Sequence, residues 1–227
     1  MKKDRSLIIV GASAFAEVAY EYFTHDSPYE VVAFSVERPY LAKTELFNLP
    51  VVPFDELTQH FDPATHSIYI AAVYTQLNRL RTRLLENARL MGYAPASYVS
   101  SNAFVWRNVE LGEHCFIFEN NVVQPFVTIG NNVVLWSGNH IGHHSTIGDN
   151  VFVASHAVIS GFVTLGGNSF IGVNSTVSNN VHIHPDCILG AGSLVSKDLE
   201  ENKVARGNVA DTGGDARRMH KVKVSQQ

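Results

Sequence analysis

Cysteine is scarce in this 227-residue chain, where Cys115 and Cys187 are the only two. That number excludes a disulfide scaffold, and with no CxxC spacing it excludes a zinc finger or ribbon as well. Charge is scarce too, at 17% of residues with a formal net charge of -4, which leaves no basic footprint able to hold a nucleic-acid backbone. No apolar run approaches the roughly 20 residues of a membrane-spanning helix. The opening MKKDRSLIIVGASAF has a hydrophobic segment too short for a cleavable signal and leads into a Gly/Ser turn, so a cytoplasmic location is expected. What is present is a 45% hydrophobic content, enough for the core of one or two globular domains and incompatible with disorder or collagen. Histidine is the abundant oddity: there are eleven, and seven of them fall between residues 111 and 186.

An aliphatic residue stands at every sixth position from Val99 to Val195, seventeen times without a slip. A period of six fits neither a helix nor a hairpin array. It fits a three-sided coil in which each side is a short strand and eighteen residues complete a turn. Two residues before each aliphatic anchor the side chain is mostly small or β-branched, as at Cys115, Val133, Ser145 and Ala157, so these positions share the narrow interior. Three residues after the anchor, Asn, Gly, Asp and His dominate, the types that tolerate a left-handed backbone, and corners are expected there. Cys115 and Cys187 are separated by four full turns, which puts them in one inward column at roughly 19 Å, beyond disulfide reach.

The first ninety-five residues alternate strand and helix instead. Ser6 to Val10, Val31 to Val36, Pro50 to Phe54 and Ser67 to Val73 read as strands, Ala14 to Phe23 and Gln76 to Met91 as helices, and Glu37 to Phe47 as an aperiodic loop. A small parallel sheet flanked by helices follows. The turn Gly11-Ala12-Ser13 ends a strand and opens a helix, so it is either a plain strand-to-helix turn or a phosphate cradle. One glycine is far from GxGxxG, and no acidic residue stands at Phe34-Ser35, taken as the end of the second strand, so a tightly bound NAD is not expected.

With IIVGAS at the start, the helix-opening stretch from Gln76 to Arg81 and IGHHSTIG from Ile141 to Gly148, the chain resembles the hexapeptide-repeat sugar O- and N-acyltransferases of the sialic acid O-acetyltransferase type. Within that group it is most similar to the N-acetyltransferases of nucleotide-linked 4-amino-4,6-dideoxy sugars. The resemblance implies a Rossmann-like sugar-nucleotide-binding domain over residues 1–95, a left-handed parallel β-helix over 96–207, and a polar tail over 208–227. It also implies acetyl-CoA as donor, no metal, a homotrimer with active sites between subunits, and a role in surface-glycan synthesis. The sugar nucleotide is expected at Gly11, Ala12, Ser13, Ala14 and Phe15, the last two replacing a glycine and a histidine of the family. Trp136 stands where relatives often carry asparagine, and is expected either to face the sugar or to pack in a trimer contact. Acetyl-CoA is expected along His156, Gly161, Gly172, Gly190, Ala191, Lys197, Arg206 and Gly207.

Acyl transfer needs a base at the acceptor, and histidine serves near neutral pH. His114, His144 and His156 occupy corner positions that backbone geometry already explains, and His140 and His182 point out from flat sides. His143 has no such backbone reason, since its position is shared with Glu113, Glu119, Asn131 and Asp149. It also matches the general base of the resembled family, in which the next residue is commonly acidic. Here that residue is His144, which is expected to contribute to catalysis beside it. The expected reaction is N-acetylation, with O-acetylation the nearest alternative. More distant alternatives are a zinc hydratase of the γ-carbonic-anhydrase kind, with His143 and His156 meeting across a trimer, and a non-catalytic sugar-nucleotide-binding protein.

Overall fold

The computed structural model describes residues 2–207, and the segment read as a polar tail, 208–227, lies outside them. Strands β1 (Arg5–Val10), β2 (Tyr29–Val36), β3 (Glu45–Leu46), β4 (Leu49–Pro53), β5 (His66–Ile70) and β6 (Ala94–Pro95) form one sheet with helices α1 (Ala14–His25), α2 (Leu57–His60) and α3 (Arg79–Leu90). Its order is β3-β4-β2-β1-β5-β6, parallel throughout except for the β3–β4 hairpin. Leu7, Ile8 and Ile9 of β1 are all fully buried, because a parallel sheet covered on both faces leaves no polar side to its central strand. With β2 on one side of β1 and β5 on the other, winding reverses at β1/β5, and a crevice opens beyond their carboxyl ends.

The elements lie where the sequence reading puts them, with boundaries shifted by up to three residues and two differences of substance. The long helix starts at Arg79, since Gln76, Leu77 and Asn78 all have left-handed φ of 53°, 51° and 64°. Asn78 closes that turn by donating its side-chain amide to the Asn150 carbonyl, a long-range contact invisible to local periodicity. The loop from Glu37 to Phe47 holds a 3-10 turn at Arg38–Tyr40 and the short strand β3.

From Tyr98 onward the chain coils as a three-sided parallel β-helix. Two-residue strands recur every six positions as far as Val195 and pair at a separation of eighteen residues, as Phe116 does with Val134 and Val134 with Phe152. The last strand, Val204–Ala205, pairs with Ile188–Leu189 sixteen residues before it. They stack into sheets of seven, six and five strands. At the corners, every sixth residue from His114 to Gly192 has positive φ. Asn, His, Asp and Gly fill nearly all of these positions, but Phe126 (φ 64°) and Phe162 (φ 59°) are exceptions that composition does not anticipate. Inside, Cys115 and Cys187 are buried and free, and burial pushes the Cys115 thiol up to about 11. Inward serines are satisfied locally, Ser145 donating to the Ser160 carbonyl at 2.9 Å.

The α/β domain docks on the outer side of the seven-stranded sheet. Phe15, Phe23 and Tyr69 interleave there with Phe116, Phe118 and Phe152 in one buried cluster, each fully buried ring contributing about 2 kcal/mol. Helix α3 straps the edge between the five- and seven-stranded sheets, its Arg89 pairing with Glu113 at 2.9 Å and its Arg79 with Asp186 at 2.6 Å. Between these ends Arg81 is wholly buried, and no carboxylate meets it among the described residues. Its guanidinium donates to the His114 carbonyl at 3.0 Å and the Tyr69 hydroxyl at 3.2 Å. His114 Nε2 accepts the Ile70 amide at 2.8 Å and its Nδ1 donates to Asn132 Oδ1 at 2.8 Å, which fixes a neutral ring. Burial and the adjacent guanidinium hold its pKa well below the ordinary histidine value.

Candidate active site

The crevice beyond β1 and β5 has a volume of about 380 Å³ and is lined by Gly11, Ala12, Ser13, Glu37, Tyr40 and Ala71, among others. Gly11 has φ +134°, and a Cβ there would stand 2.9 Å from the Ala71 carbonyl oxygen, so only glycine lets the two strand ends approach. Ser13 is the N-cap of α1 without using its side chain, and the Gly11–Ser13 turn that leads into the helix N-terminus lines the crevice, where an anion would meet it.

Ala14 and Phe15, grouped in sequence with the substrate turn, do not line the crevice. The Phe15 ring is buried, 5.4 Å from Trp136 and 5.9 Å from Phe116. Trp136 stacks on Phe118 at 4.3 Å in the same aromatic layer. Its ring thus packs, partly buried, between the two domains of one chain.

The sequence reading also missed an acid. β2 continues to Val36, and Glu37 follows it directly into the crevice. Both carboxylate oxygens accept from Arg83 at 2.9 Å, and this pairing holds the Glu37 carboxyl below its usual range. The missed signal is the position itself: the strand reads to Val36, and the acid stands at the residue directly after Val36 and not at Phe34-Ser35.

The remaining candidates sort onto two prism edges. His156, Gly172, Gly190, Ala191, Arg206 and Gly207 follow strands of the seven-stranded sheet, on the edge it shares with the six-stranded sheet. A Cβ at Gly172 would lie 2.6 Å from the Leu189 carbonyl oxygen, so close stacking of turns already requires glycine there. His143, His144, Gly161 and Lys197 follow strands of the six-stranded sheet, on the edge it shares with the five-stranded sheet. In a three-sided prism that edge faces away from the seven-stranded sheet and its docked α/β domain.

On this far edge His143 is exposed. Its amide donates to Gln124 Oε1 at 2.9 Å, and its Nδ1 lies 3.1 Å from His144 Nδ1. The ring rests on Gly161, where a Cβ would come within 2.9 Å of Cε1. Phe162 meets it edge-on at 5.1 Å. The arrangement presents one imidazole with Nε2 uncommitted, suited to take a proton from an approaching acceptor. Among the described residues no group of three or more His, Cys, Asp or Glu side chains converges as for a metal ion, and no helix is long and apolar enough to cross a membrane.

The family model of bacterial transferase hexapeptide repeats (six repeats) matches residues 108–142, 126–161 and 162–197. No curated protein sequence matches the chain. Among solved structures, the acetyltransferase domain of PglB from Neisseria gonorrhoeae superposes with a TM-score of 0.81 at 22% identity, over 92% of this chain and 99% of that one. A mutant perosamine N-acetyltransferase from Caulobacter crescentus, in complex with CoA and GDP-perosamine, gives 0.79 at 25% identity over 92% and 97%. WeeI from Acinetobacter baumannii gives 0.69 at 21% identity over 90% and 97%. The three-sided coil is therefore the left-handed parallel β-helix of the hexapeptide proteins. Residues 108–197 carry the bacterial transferase hexapeptide repeats, and the chain has the fold of these acetyltransferases in the form that places an α/β domain ahead of the coil.

Proposed function

We propose that the chain transfers an acetyl group from acetyl-CoA to the amine of a nucleotide-linked amino sugar of the 4-amino-4,6-dideoxy type, for a surface glycan. The crevice at β1/β5 takes the nucleotide, its diphosphate at the Gly11–Ser13 turn and α1 N-terminus. His143 Nε2 removes a proton from the amine as nitrogen attacks the thioester carbonyl, and no covalent enzyme intermediate intervenes. Support for the donor comes from the Neisseria domain crystallised with acetyl coenzyme A and the Caulobacter enzyme crystallised with CoA. Support for the acceptor comes from the GDP-perosamine in the latter.

The single observation that carries this reading is the placement of His143, exposed and seated on Gly161, on the prism edge turned away from the crevice. A base so placed serves a substrate bound by another copy of the chain. The six-stranded sheet between the two candidate edges exposes Phe104, Val122, Val158 and Leu194, an apolar face that a homotrimer would cover. In such a trimer the acetyl-CoA edge of one subunit lies beside the His143 edge of the next.

The test is incubation of the full chain with acetyl-CoA and a panel of 4-amino sugar nucleotides, following thiol release and product mass. His143→Ala is expected to lower turnover by about 100-fold or more. Turnover unchanged in that variant removes the assigned base, and a product carrying the acetyl group on oxygen removes the assigned acceptor.

A further inference from the structure

His144 stands where a carboxylate would ordinarily orient the base, and its surroundings are unlike those of any other corner. Phe126 and Phe162, eighteen residues before and after it on the same edge, stack on its two faces at 4.7 Å and 4.8 Å, with interplanar angles of 28° and 17°. Both phenylalanines hold left-handed φ, a backbone state that aromatic side chains rarely adopt and that calls for a compensating role. Both rings are more than half exposed, so interior packing does not supply that role. The Nδ1···Nδ1 contact of 3.1 Å admits one hydrogen between the two imidazoles. If Nε2 of His143 is to be the base, that hydrogen belongs to His143 Nδ1, and His144 Nδ1 is its acceptor.

We infer that His143 and His144 form a two-imidazole proton relay, with Phe126 and Phe162 as positioning residues that hold His144 and stabilise its cation. This rests on His143 acting as the base. As the C–N bond forms, the amine proton passes to His143 Nε2 while the Nδ1 proton passes to His144 Nδ1. The positive charge then lies between two phenyl faces, whose negative quadrupoles attract it. When the C–S bond breaks, the proton returns along the same path and the CoA sulfur takes it up, so no net proton is gained or lost. The phenyl sandwich thereby does by cation–π attraction what a carboxylate does by its charge.

The experiment measures kcat and KM for acetyl-CoA on the full chain. His144→Ala is expected to lower kcat by about tenfold or more at unchanged KM, and His144→Glu, which restores an acceptor for Nδ1–H, to recover most of that loss. The pair Phe126→Leu and Phe162→Leu keeps the edge apolar but removes the π faces. It is expected to lower kcat several-fold with His144 present and by clearly less in the His144→Glu background. An unchanged kcat in His144→Ala, or an equal penalty from the leucine pair in both backgrounds, overturns the relay. Loss of turnover in His143→Ala alongside full turnover in His144→Ala removes the relay alone, whereas full turnover in His143→Ala removes the underlying reading. Imidazole 15N spectra of the unsubstituted protein give a check independent of variant folding: a bare Nε2 on His143 supports the relay, and a protonated Nε2 overturns it.

Discussion

The imidazole of His143 lies on the bare Cα of Gly161, the equivalent residue one turn further along the coil, so closely that a methyl group there would stand 2.9 Å from Cε1 and 3.0 Å from Nε2. Gly161 was expected from sequence to meet acetyl-CoA; its geometry gives it a second task, setting the height of the ring. Gly161→Ala should displace the imidazole without disturbing the coil, because what must move is an exposed side chain. Turnover is expected to fall by about tenfold or more, since a misplacement near 1 Å at a reacting group is costly. Thermal unfolding should shift by less than about 1 kcal/mol. Steady-state rates beside a melting curve check both.

The neutral His114 couples stability to pH. Burial depresses its folded-state pKa from the ordinary value of 6.5, so below about pH 6.5 the unfolded chain takes up a proton that the native chain refuses. Stability contributed by this group is therefore complete above that pH and falls as pH drops, by up to about 1.4 kcal/mol per unit. His114→Asn keeps a side chain at ease with left-handed φ and removes the titration. It should be less stable at pH 8 by about 1 to 3 kcal/mol, because the Ile70 amide loses its acceptor, yet flatter between pH 6.5 and 5. Chemical denaturation across that range measures the slope.

Glu37 enters the crevice already oriented by Arg83, with both oxygens engaged and further lone pairs free. At the end of the second strand of such a sheet, an acid accepts ribose hydroxyls. Glu37→Ala should raise KM for the sugar nucleotide by about tenfold or more, the worth of one charge-assisted hydrogen bond, and leave KM for acetyl-CoA unchanged. Varying each substrate in turn separates the two.

The coil was legible because its order is local. Turn length, inward column and corner all recur in the primary sequence, and the backbone obeys the pattern at every corner from His114 to Gly192. What escaped reading depends on residues that only the fold brings together. His114 is recognisable as a corner residue, but its neutrality comes from Arg81 and Ile70, which reach it when α3 lies down on the edge. Phe15 and Trp136 read as site residues beside a turn and a corner, and that they meet in one interdomain aromatic layer shows only once the α/β domain docks. Phe126 and Phe162 break the corner rule, and their purpose shows only when successive turns place His144 between them.

Shared sites leave a quantitative signature in mixed trimers. The crevice and His143 lie on opposite sides of one chain's prism, and in the proposed trimer each site draws its crevice from one subunit and its base from the next. Val158→Asp places a charge in the middle of the exposed six-stranded face, where Val158 is 40% accessible and takes no part in the core. It should yield a folded monomer by sedimentation that has lost turnover. Two further variants make the argument positive: His143→Ala lacks the base, and Ala12→Trp fills the crevice. Each alone is expected to be inactive. Mixed in equal amounts under conditions that exchange subunits, they should regain about a quarter of the unsubstituted rate, because one interface in four then pairs an open crevice with an intact imidazole. Recovery of nothing after confirmed exchange would mean that crevice and base serve each other within a single chain.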